Sequence, residues 1–268
     1  MAGFTDEQAL RYVRQVTVRE VGAVGQERLL GSSAVIVGAG GLGPPALLYL
    51  AAAGVGRIAV IDSDTVDLTN LQRQIAHRTE DVGHNKAKSA AETARALNPT
   101  VEIGPYPDRL TAGNAIELLS GFDVILDCTD NFSTRYVVND AAVILGTPLV
   151  TASIMRFYGQ LTTVMPRVGP CLRCLVPEPP APGSVPTCAQ TGVIGPVAGA
   201  LGSLQAVEAI KVLLGLEGTL VGRLFVLDAL SFDPQVLEIE RDPGCAVCGD
   251  SPTILTPVDA GETCEGQS

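Results

Sequence analysis

The chain has 268 residues, of which 46% are hydrophobic, so it is long enough to bury a large core. Its formal net charge of −11 excludes a general nucleic-acid-binding surface, because such a surface needs clustered lysine and arginine. Residues 1–8 lack the basic start and apolar core of a signal peptide. Gln205, Glu208 and Lys211 interrupt the most apolar long stretch, 193–216, so no membrane span is expected. We therefore expect a soluble cytoplasmic protein.

The first 150 residues predict a parallel sheet. Thr5 and Gln8 have the spacing of a capping box, which predicts a short N-terminal helix that carries residues 11–14. Short apolar runs then alternate with longer segments of helical character. Runs without polar alternation favour strands buried on both faces of a parallel sheet. The predicted strands are 34–37, 58–61, 101–103, 124–126 and 148–150.

Two of the intervening helices have defined ends. One begins at Gly43, with two prolines in its first turn, where missing amide hydrogens cost little. A second runs from about Lys86 to Leu97, because a residue that precedes proline, here Asn98, disfavours helical dihedral angles.

The pattern changes after residue 150. Residues 159–165 predict an extended segment, residues 166–186 are rich in proline, and Gly195 begins a last helix that ends near Leu214. Two further strands are predicted near 223–227 and 236–239. The sequence thus predicts an α/β fold, a Rossmann-like doubly wound and mainly parallel sheet, with a C-terminal extension that contains antiparallel strands.

A glycine loop points to a nucleotide. Gly38, Gly40, Gly41 and Gly43 follow the first predicted strand, and Asp62 ends the second. Glycines let the backbone approach phosphates, the next helix points its amides at the anion, and the acid accepts ribose hydroxyls. This pattern alone fits NAD, FAD or ATP.

The polar residues that follow Asp62 favour ATP. Asn70, Arg73 and Lys86 suit charge-assisted hydrogen bonds to a triphosphate, which a hydride-transfer site does not need. Taken singly, each is better explained as a capping or surface group. As a set behind a glycine loop, they favour phosphate binding.

Asp130 lies where the fourth predicted strand ends and a helix begins. Ligands of doubly wound sheets bind outside the carboxyl ends of strands, so Asp130 is placed to hold Mg²⁺ on phosphates. It is equally placed to cap the helix that follows, and the local sequence does not separate these alternatives.

Four of the seven cysteines form two pairs, each with two residues between its members: Cys171 with Cys174, and Cys245 with Cys248. In a cytoplasmic chain this spacing favours a tetrahedral structural zinc over disulfides. A buried free thiol is the alternative for any one of them.

Together these motifs closely resemble those of the ThiF/MoeB/HesA adenylyltransferases, which share their nucleotide fold with ubiquitin-activating enzymes. The resemblance extends from Arg11 to about Gly249. It implies a single domain over residues 1–249, with a nucleotide-binding core over 31–152, a carrier-binding and zinc-binding part over 153–249, and a flexible tail over 250–268.

The resemblance also implies roles for single residues, with ATP, Mg²⁺ and Zn²⁺ as cofactors. It places Arg73 and Lys86 on phosphates and Asp130 on magnesium, and it makes Arg14 an arginine finger from the other subunit of a homodimer. Gly41 lies at the adenosine and Asp62 at the ribose. The full predicted nucleotide set is Gly38, Gly40, Gly41, Leu42, Gly43, Asp62, Asp64, Asn70, Arg73, Gln74, Lys86, Asp130 and Asn131.

Three further residues are interpreted from the same resemblance. Cys188 matches the family's reactive cysteine, either essential or dispensable, and reactivity requires a depressed pKa that sequence does not reveal. His77 and His84 are interpreted as structural, because an attacking carboxylate is already ionised at pH 7 and needs no base.

The reaction implied is ATP-dependent adenylylation of the C-terminal glycine carboxylate in the Gly-Gly tail of a small ubiquitin-like sulfur-carrier protein. Because the sequence ends soon after Cys248, we expect sulfur to come from a separate donor. Two alternatives remain: an NAD-dependent oxidoreductase, and a non-catalytic, zinc-containing module that binds carrier proteins.

Overall fold

The computed structural model describes residues 4–180, 184 and 188–259. Its strands are β1 (Ser33–Val37), β2 (Arg57–Ile61), β3 (Glu102–Tyr106), β4 (Val124–Asp127), β5 (Leu149–Met155), β6 (Tyr158–Val164), β7 (Arg223–Asp228) and β8 (Asp233–Glu238). Its helices are α1 (Asp6–Val16), α2 (Gly22–Leu30), α3 (Gly43–Ala53), α4 (Lys86–Leu97), α5 (Ala115–Leu119), α6 (Phe132–Leu145), α7 (Leu172–Leu175), α8 (Cys188–Thr191) and α9 (Gly195–Leu214). Two 3₁₀ helices, Leu68–Asn70 and Thr79–Asp81, lie between β2 and α4.

The strands form one sheet in the order β3-β2-β1-β4-β5-β6-β7-β8. The first five are parallel, and β5 to β8 pair in antiparallel fashion. This confirms the predicted fold class. The chain reverses its direction of winding between β1 and β4, which is where ligands of doubly wound sheets bind. Val37 of β1 lies in register with Ile61 of β2 and Asp127 of β4, so the loops that follow these three strands meet at one edge.

Helices cover both faces of the parallel part. Ala34 and Ile36 pack into one apolar cluster, and Val35 and Val37 pack into a second one on the opposite face. All four side chains are buried, which explains why β1 is apolar throughout instead of alternating.

The predicted helix ends are confirmed. The Thr5 hydroxyl accepts from the Gln8 amide and the Gln8 side chain accepts from the Thr5 amide, which completes the capping box. Helices α3 and α4 begin at Gly43 and Lys86 as predicted. Helix α2 is not among the predicted helices. No side chain caps its start, so the sequence has no capping motif there.

Three strands begin or end at least three residues away from the prediction. Strand β3 continues to Tyr106, three residues further than predicted. Strand β5 continues to Met155, five residues further, because its pairing with the antiparallel strand β6 extends beyond Thr151, where its pairing with β4 ends. Strand β8 begins at Asp233 and includes Pro234, which an edge strand tolerates because one side of its backbone has no strand partner.

Helix α9 is long and apolar enough to cross a membrane by length and composition alone. In the fold it packs against α3 and strands β4 to β6, and just over half of it is buried. Its buried polar groups have partners: Gln205 donates to the carbonyls of Asp127 and Val150, and Glu208 accepts from the Thr163 hydroxyl. Packing on the sheet therefore accounts for its composition.

The segment after the second cysteine pair, for which we expect flexibility, contacts the fold over residues 250–259. The Ile254 amide donates to the Ala246 carbonyl, and the Asp259 carboxylate accepts from the Ala112 amide at 3.0 Å. These contacts extend the folded part to residue 259. Residues 260–268, with Cys264, lie outside the described part of the chain.

Candidate functional site

The glycine loop between β1 and α3 is held in a conformation that needs glycine. Gly38 has a φ of +100°, and a β-carbon there would lie 2.7 Å from the Cys128 carbonyl oxygen. A β-carbon at Gly43 would overlap the Gly38 carbonyl oxygen. Gly41 lies beside Ala198 of α9 and the side chain of Arg73. The loop is thus packed closely against the neighbouring main chain, and its glycines leave its own main chain accessible to a ligand.

Asp62 joins the glycine loop to the end of β2. Its carboxylate accepts from the Ala39 amide at 2.7 Å and from the Asp64 amide at 2.9 Å. Burial raises the pKa of Asp62, and these two amide hydrogen bonds oppose that rise. Each carboxylate oxygen accepts one protein bond, which leaves a lone pair on each for hydroxyls of a ribose.

Two cations lie on the same edge of the sheet. The Lys86 ammonium, in the first turn of α4, lies 2.9 Å from the carboxylate of Asp64, which is largely exposed. Arg73 donates to the Thr69 carbonyl at 3.1 Å. Asn70 ends a 3₁₀ helix, and its side-chain oxygen accepts from the Asp67 amide at 3.4 Å. An anion that enters this edge meets charged donors with weak or exposed protein partners.

Gln74 provides a test of whether the site fits a ligand. It is 3% exposed, and its Oε1 is the one buried side-chain oxygen or nitrogen without a hydrogen-bond partner in the described part of the chain. Its side chain lies against Gly40 of the glycine loop. Because a buried acceptor without a donor is costly, this arrangement fits a site that is completed by the donor groups of a bound molecule.

The structure separates the two alternatives for Asp130. The N-cap of α6 is Asn131, whose side-chain oxygen accepts from the Thr134 amide at 2.8 Å. Asp130 is exposed, one residue before the cap. The helix therefore does not need Asp130, and its carboxylate oxygens are suitable ligands for a cation on bound phosphates.

The remaining candidates at this end differ in exposure. Arg14 is exposed in the last turn of α1. His77 is buried, with Nε2 at 3.0 Å from the Ala39 carbonyl and Nδ1 at 2.8 Å from the Ser89 hydroxyl, and burial lowers its pKa. Both ring nitrogens thus have partners, as a structural histidine requires. His84 is exposed.

The four paired cysteines come together although 70 residues separate the pairs. Their Sγ atoms all lie within 4.8 Å of one another. The contacts are 3.6 Å for Cys171 with Cys245 and 3.3 Å for Cys174 with Cys248. A tetrahedral zinc with Zn–S bonds of about 2.3 Å requires sulfurs about 3.8 Å apart. The donor set and spacing therefore fit a closed metal site, and burial raises the pKa of Cys248 to about 12 in the absence of metal.

Polar contacts attach the first cysteine pair to α6. Arg173 donates to both carboxylate oxygens of Asp140 at 2.8 Å, with Asp140 wholly buried. The Arg173 guanidinium lies 4.7 Å from the ring centre of Tyr136, and the Asn139 side chain accepts from the Leu172 amide. Three side chains of α6 thus hold the segment between Cys171 and Cys174.

The model of the ThiF family matches residues 12–247. The chain belongs to the ThiF family. The sulfur carrier protein adenylyltransferase of Thermus thermophilus is 50% identical over 266 residues, which cover 97% of this chain and 98% of that protein. The SAMP-activating enzyme E1 of Haloferax volcanii is 48% identical and covers 95% of this chain and 94% of that one. The mouse adenylyltransferase and sulfurtransferase MOCS3 is 44% identical over 98% of this chain but 57% of its own length.

Solved structures share the fold of this ThiF-family chain. E. coli MccB with MccA-N7isoASN has a TM-score of 0.79 at 22% identity, covering 90% of this chain and 75% of that one. PaaA has a TM-score of 0.76 at 23% identity, covering 90% and 76%.

Two cysteines stand apart from the cluster. Cys188 begins helix α8, and its side chain lies outside the described residues. Cys128 is buried and lies 3.4 Å from the Gln205 side-chain oxygen, and burial raises its pKa. It is thus an inert core thiol.

Sequence reasoning missed two arginines of this ThiF-family protein that pair with wholly buried aspartates. It left Arg135 without a role, and it did not consider Arg173, whose partner Asp140 lies 33 residues away. The available signal was weak: an arginine inside a metal-ligand pair, and an arginine one turn into a helix that follows a buried acid.

Proposed function

We propose that this protein is an ATP-dependent adenylyltransferase that activates the C-terminal glycine carboxylate of a small ubiquitin-like sulfur-carrier protein. Relatives named as sulfur carrier protein adenylyltransferase and SAMP-activating enzyme match nearly its whole length. The carrier binds through its Gly-Gly tail, and a separate donor supplies sulfur. We also propose a cytoplasmic location, because the proposed zinc site requires cysteines that are not paired in disulfides.

The observation that carries this proposal is the meeting of three chemistries at one edge of the sheet. The glycine loop follows β1, the acceptor Asp62 and the cation Lys86 follow β2, and Asp130 follows β4. This set suits a nucleotide with a phosphate chain and a bound metal. A hydride-transfer enzyme would not need these residues, so the set favours ATP over NAD.

The proposed reaction forms a bond between a carrier carboxylate oxygen and the α-phosphorus of ATP, and it breaks the bond to the β-phosphate oxygen. Pyrophosphate leaves, and the carrier becomes an acyl-adenylate. The carboxylate is ionised at pH 7, so no general base is needed. Arg73 and Lys86 offset the charge on the phosphates, while the loop and Asp62 orient the nucleotide. Asp130 would hold a Mg²⁺ ion, which would neutralise part of the remaining phosphate charge.

ATP–pyrophosphate exchange tests the reaction. Exchange should require the correct carrier, and purified protein tested against each candidate carrier identifies it. Asp130→Ala should abolish exchange. The matched control, Glu102→Ala, removes an exposed carboxylate at the opposite edge of the sheet, at the start of β3, and should leave exchange unchanged. Exchange that survives Asp130→Ala contradicts the metal assignment.

We propose a homodimer in which Arg14 acts across the interface. Arg14 is exposed beside Leu10, which is 78% exposed. Leu204 and Val207, one turn apart on α9, are 37% and 50% exposed. Exposed apolar groups on helices α1 and α9 support burial against a second copy.

Mixing two inactive variants tests the role of Arg14. In a mixed dimer of Arg14→Ala and Lys86→Ala chains, the Arg14→Ala chain keeps its own Lys86 and receives the intact arginine of its partner. Partial recovery of exchange is expected. If mixed dimers form and stay inactive, Arg14 does not act in trans.

We propose zinc at Cys171, Cys174, Cys245 and Cys248, in a structural role. Four sulfur ligands fill a tetrahedral ion, so no position remains for a substrate. The ion would join the loop after β6 to the segment that follows β8. One zinc per chain, measured by elemental analysis of purified protein, is the expected content.

A further inference from the structure

The carboxylate of Asp127 is the centre of a closed network at the end of β4. Its Oδ1 accepts from the Thr129 amide at 3.0 Å and from the Thr129 hydroxyl at 2.6 Å. Its Oδ2 accepts from the Thr151 hydroxyl at 2.6 Å and lies 3.3 Å from Arg135 Nε. Asp127 is wholly buried and Thr129 is 8% exposed, so these partners replace water.

Arg135 ties this network to the next strand. Its Nη2 donates to the carbonyls of Thr129 and Ala152, each at 2.8 Å, while its Nε faces Asp127. One planar guanidinium therefore contacts the end of β4, the loop after it and strand β5. A lysine carries the same charge but is a single point donor without this fork. The side chain of Arg135 is 12% exposed.

The network fixes the main chain immediately before Asp130. The amide, hydroxyl and carbonyl of Thr129 all have partners in it. On the other side, Asn131 is fixed as the N-cap of α6. Asp130 itself is exposed and lies between these two fixed neighbours.

We propose that Arg135 is a positioning residue for the divalent cation: it holds the Thr129 carbonyl so that the Asp130 carboxylate faces the metal on the bound triphosphate. This inference rests on the role of Asp130 in the proposed function. Residues that orient a metal ligand typically change metal affinity 10- to 100-fold when altered, so a loss of about tenfold is expected for Arg135→Lys. Affinity for the metal-free nucleotide should not change.

The experiment measures the dissociation constant of ATP by calorimetry, with Mg²⁺ and with EDTA, for the full-length protein. The ratio of the two constants is the magnesium-linked gain. Arg135→Lys should reduce this gain about tenfold. Arg173→Lys, at the other arginine that pairs with a wholly buried aspartate but remote from this loop, is the matched control and should keep the gain. Thr151→Val, which removes one hydrogen bond to Asp127, should reduce the gain by less, and it serves if Arg135→Lys does not fold.

Asp130→Asn separates the failure of this inference from that of the proposed function. If Asp130→Asn loses the gain but folded Arg135→Lys and Thr151→Val keep it, Arg135 is not a positioning residue and the proposed function stands. If Asp130→Asn keeps the gain, the metal role of Asp130 is wrong, and the inference fails with it. An equal loss of affinity with and without Mg²⁺ in Arg135→Lys also overturns the inference, because it indicates a general structural defect.

Discussion

The carboxyl ends of β1, β2 and β4 form the proposed nucleotide edge, where the two candidate cations have exposed or weak partners: Lys86 lies against the largely exposed Asp64, and Arg73 donates only to the Thr69 carbonyl among the contacts described above. In the cysteine cluster, four thiols face one another and the intervening Arg173 has a wholly buried partner. A substrate site needs charges that can exchange protein partners for ligand partners. A structural metal site needs the opposite, a donor set with no open position.

Helix α6 connects these two regions. Its N-cap, Asn131, lies beside Asp130 at the nucleotide edge. Its middle carries Tyr136, Asn139 and Asp140, which contact the segment between Cys171 and Cys174. We therefore expect substitutions at the cysteine cluster to lower stability, and substitutions at the nucleotide edge to lower the reaction rate while stability changes little.

The largest effect is expected from a metal ligand. Cys248→Ser should lose zinc and lower the unfolding temperature sharply, because structural zinc contributes about 10–16 kcal/mol of binding free energy in small zinc domains. Elemental analysis and calorimetry measure both effects. Cys128→Ala, a buried cysteine outside the cluster, is the control and should keep its metal. Full zinc content in Cys248→Ser would show that Cys248 is not needed to bind zinc, which contradicts the proposed four-cysteine site.

The buried ion pair comes next. Arg173→Met should lower the free energy of unfolding by about 3–5 kcal/mol, because Asp140 is left buried without its cation. Urea denaturation checks this value. Arg78→Met removes an exposed pair with Glu80 and should cost about 0–1 kcal/mol. Similar losses for both variants would show that burial of Asp140 does not matter.

At the nucleotide edge the effect should be on rate. Lys86→Met should lower carrier-dependent exchange by about 10²–10³-fold, since it removes a preorganised donor to the phosphates. Its unfolding temperature should change little, because its partner Asp64 is largely exposed. Lys88→Met, on the exposed side of the same helix, should keep full exchange. If Lys86→Met had a lower unfolding temperature but normal exchange, the proposed difference between the two regions would be wrong.

The smallest effect is a pH dependence beneath the glycine loop. Burial holds the pKa of His77 below its unfolded value, so the unfolded chain takes up the proton first as pH falls. The free energy of unfolding should therefore drop by about 0.5–1 kcal/mol from this residue between pH 7.5 and 6.0. His77→Gln should remove that drop in urea titrations, whereas His84→Gln, at the other histidine, should keep it. An unchanged slope in His77→Gln contradicts the assignment.

Local signals made most of the fold predictable. Unalternated apolar runs located every parallel strand, and the Thr5–Gln8 box, the prolines after Gly43 and Asn98 before proline located helix ends. The extension of β5 to Met155 was not predictable, because it depends on pairing with β6 instead of on local sequence.

The candidate site, like the fold, was predictable only in part. Motif spacing located the glycine loop, Asp62 and the two cysteine pairs. It could not decide whether Asp130 is a metal ligand or the cap of the following helix, since aspartate suits both roles; the observed cap is Asn131. Nor could it find the pairs of Arg135 with Asp127 and Arg173 with Asp140, because a buried ion pair leaves no periodic trace in a sequence.

We propose that the nucleotide edge adenylylates the C-terminus of a carrier protein. The most direct test is to incubate the protein with ATP, Mg²⁺ and the carrier identified by exchange, and to analyse products by chromatography and mass spectrometry. The expected products are AMP linked to the carrier C-terminus and one pyrophosphate per adduct. ADP with inorganic phosphate as products, or ATP cleavage that does not depend on the carrier, would contradict this proposal.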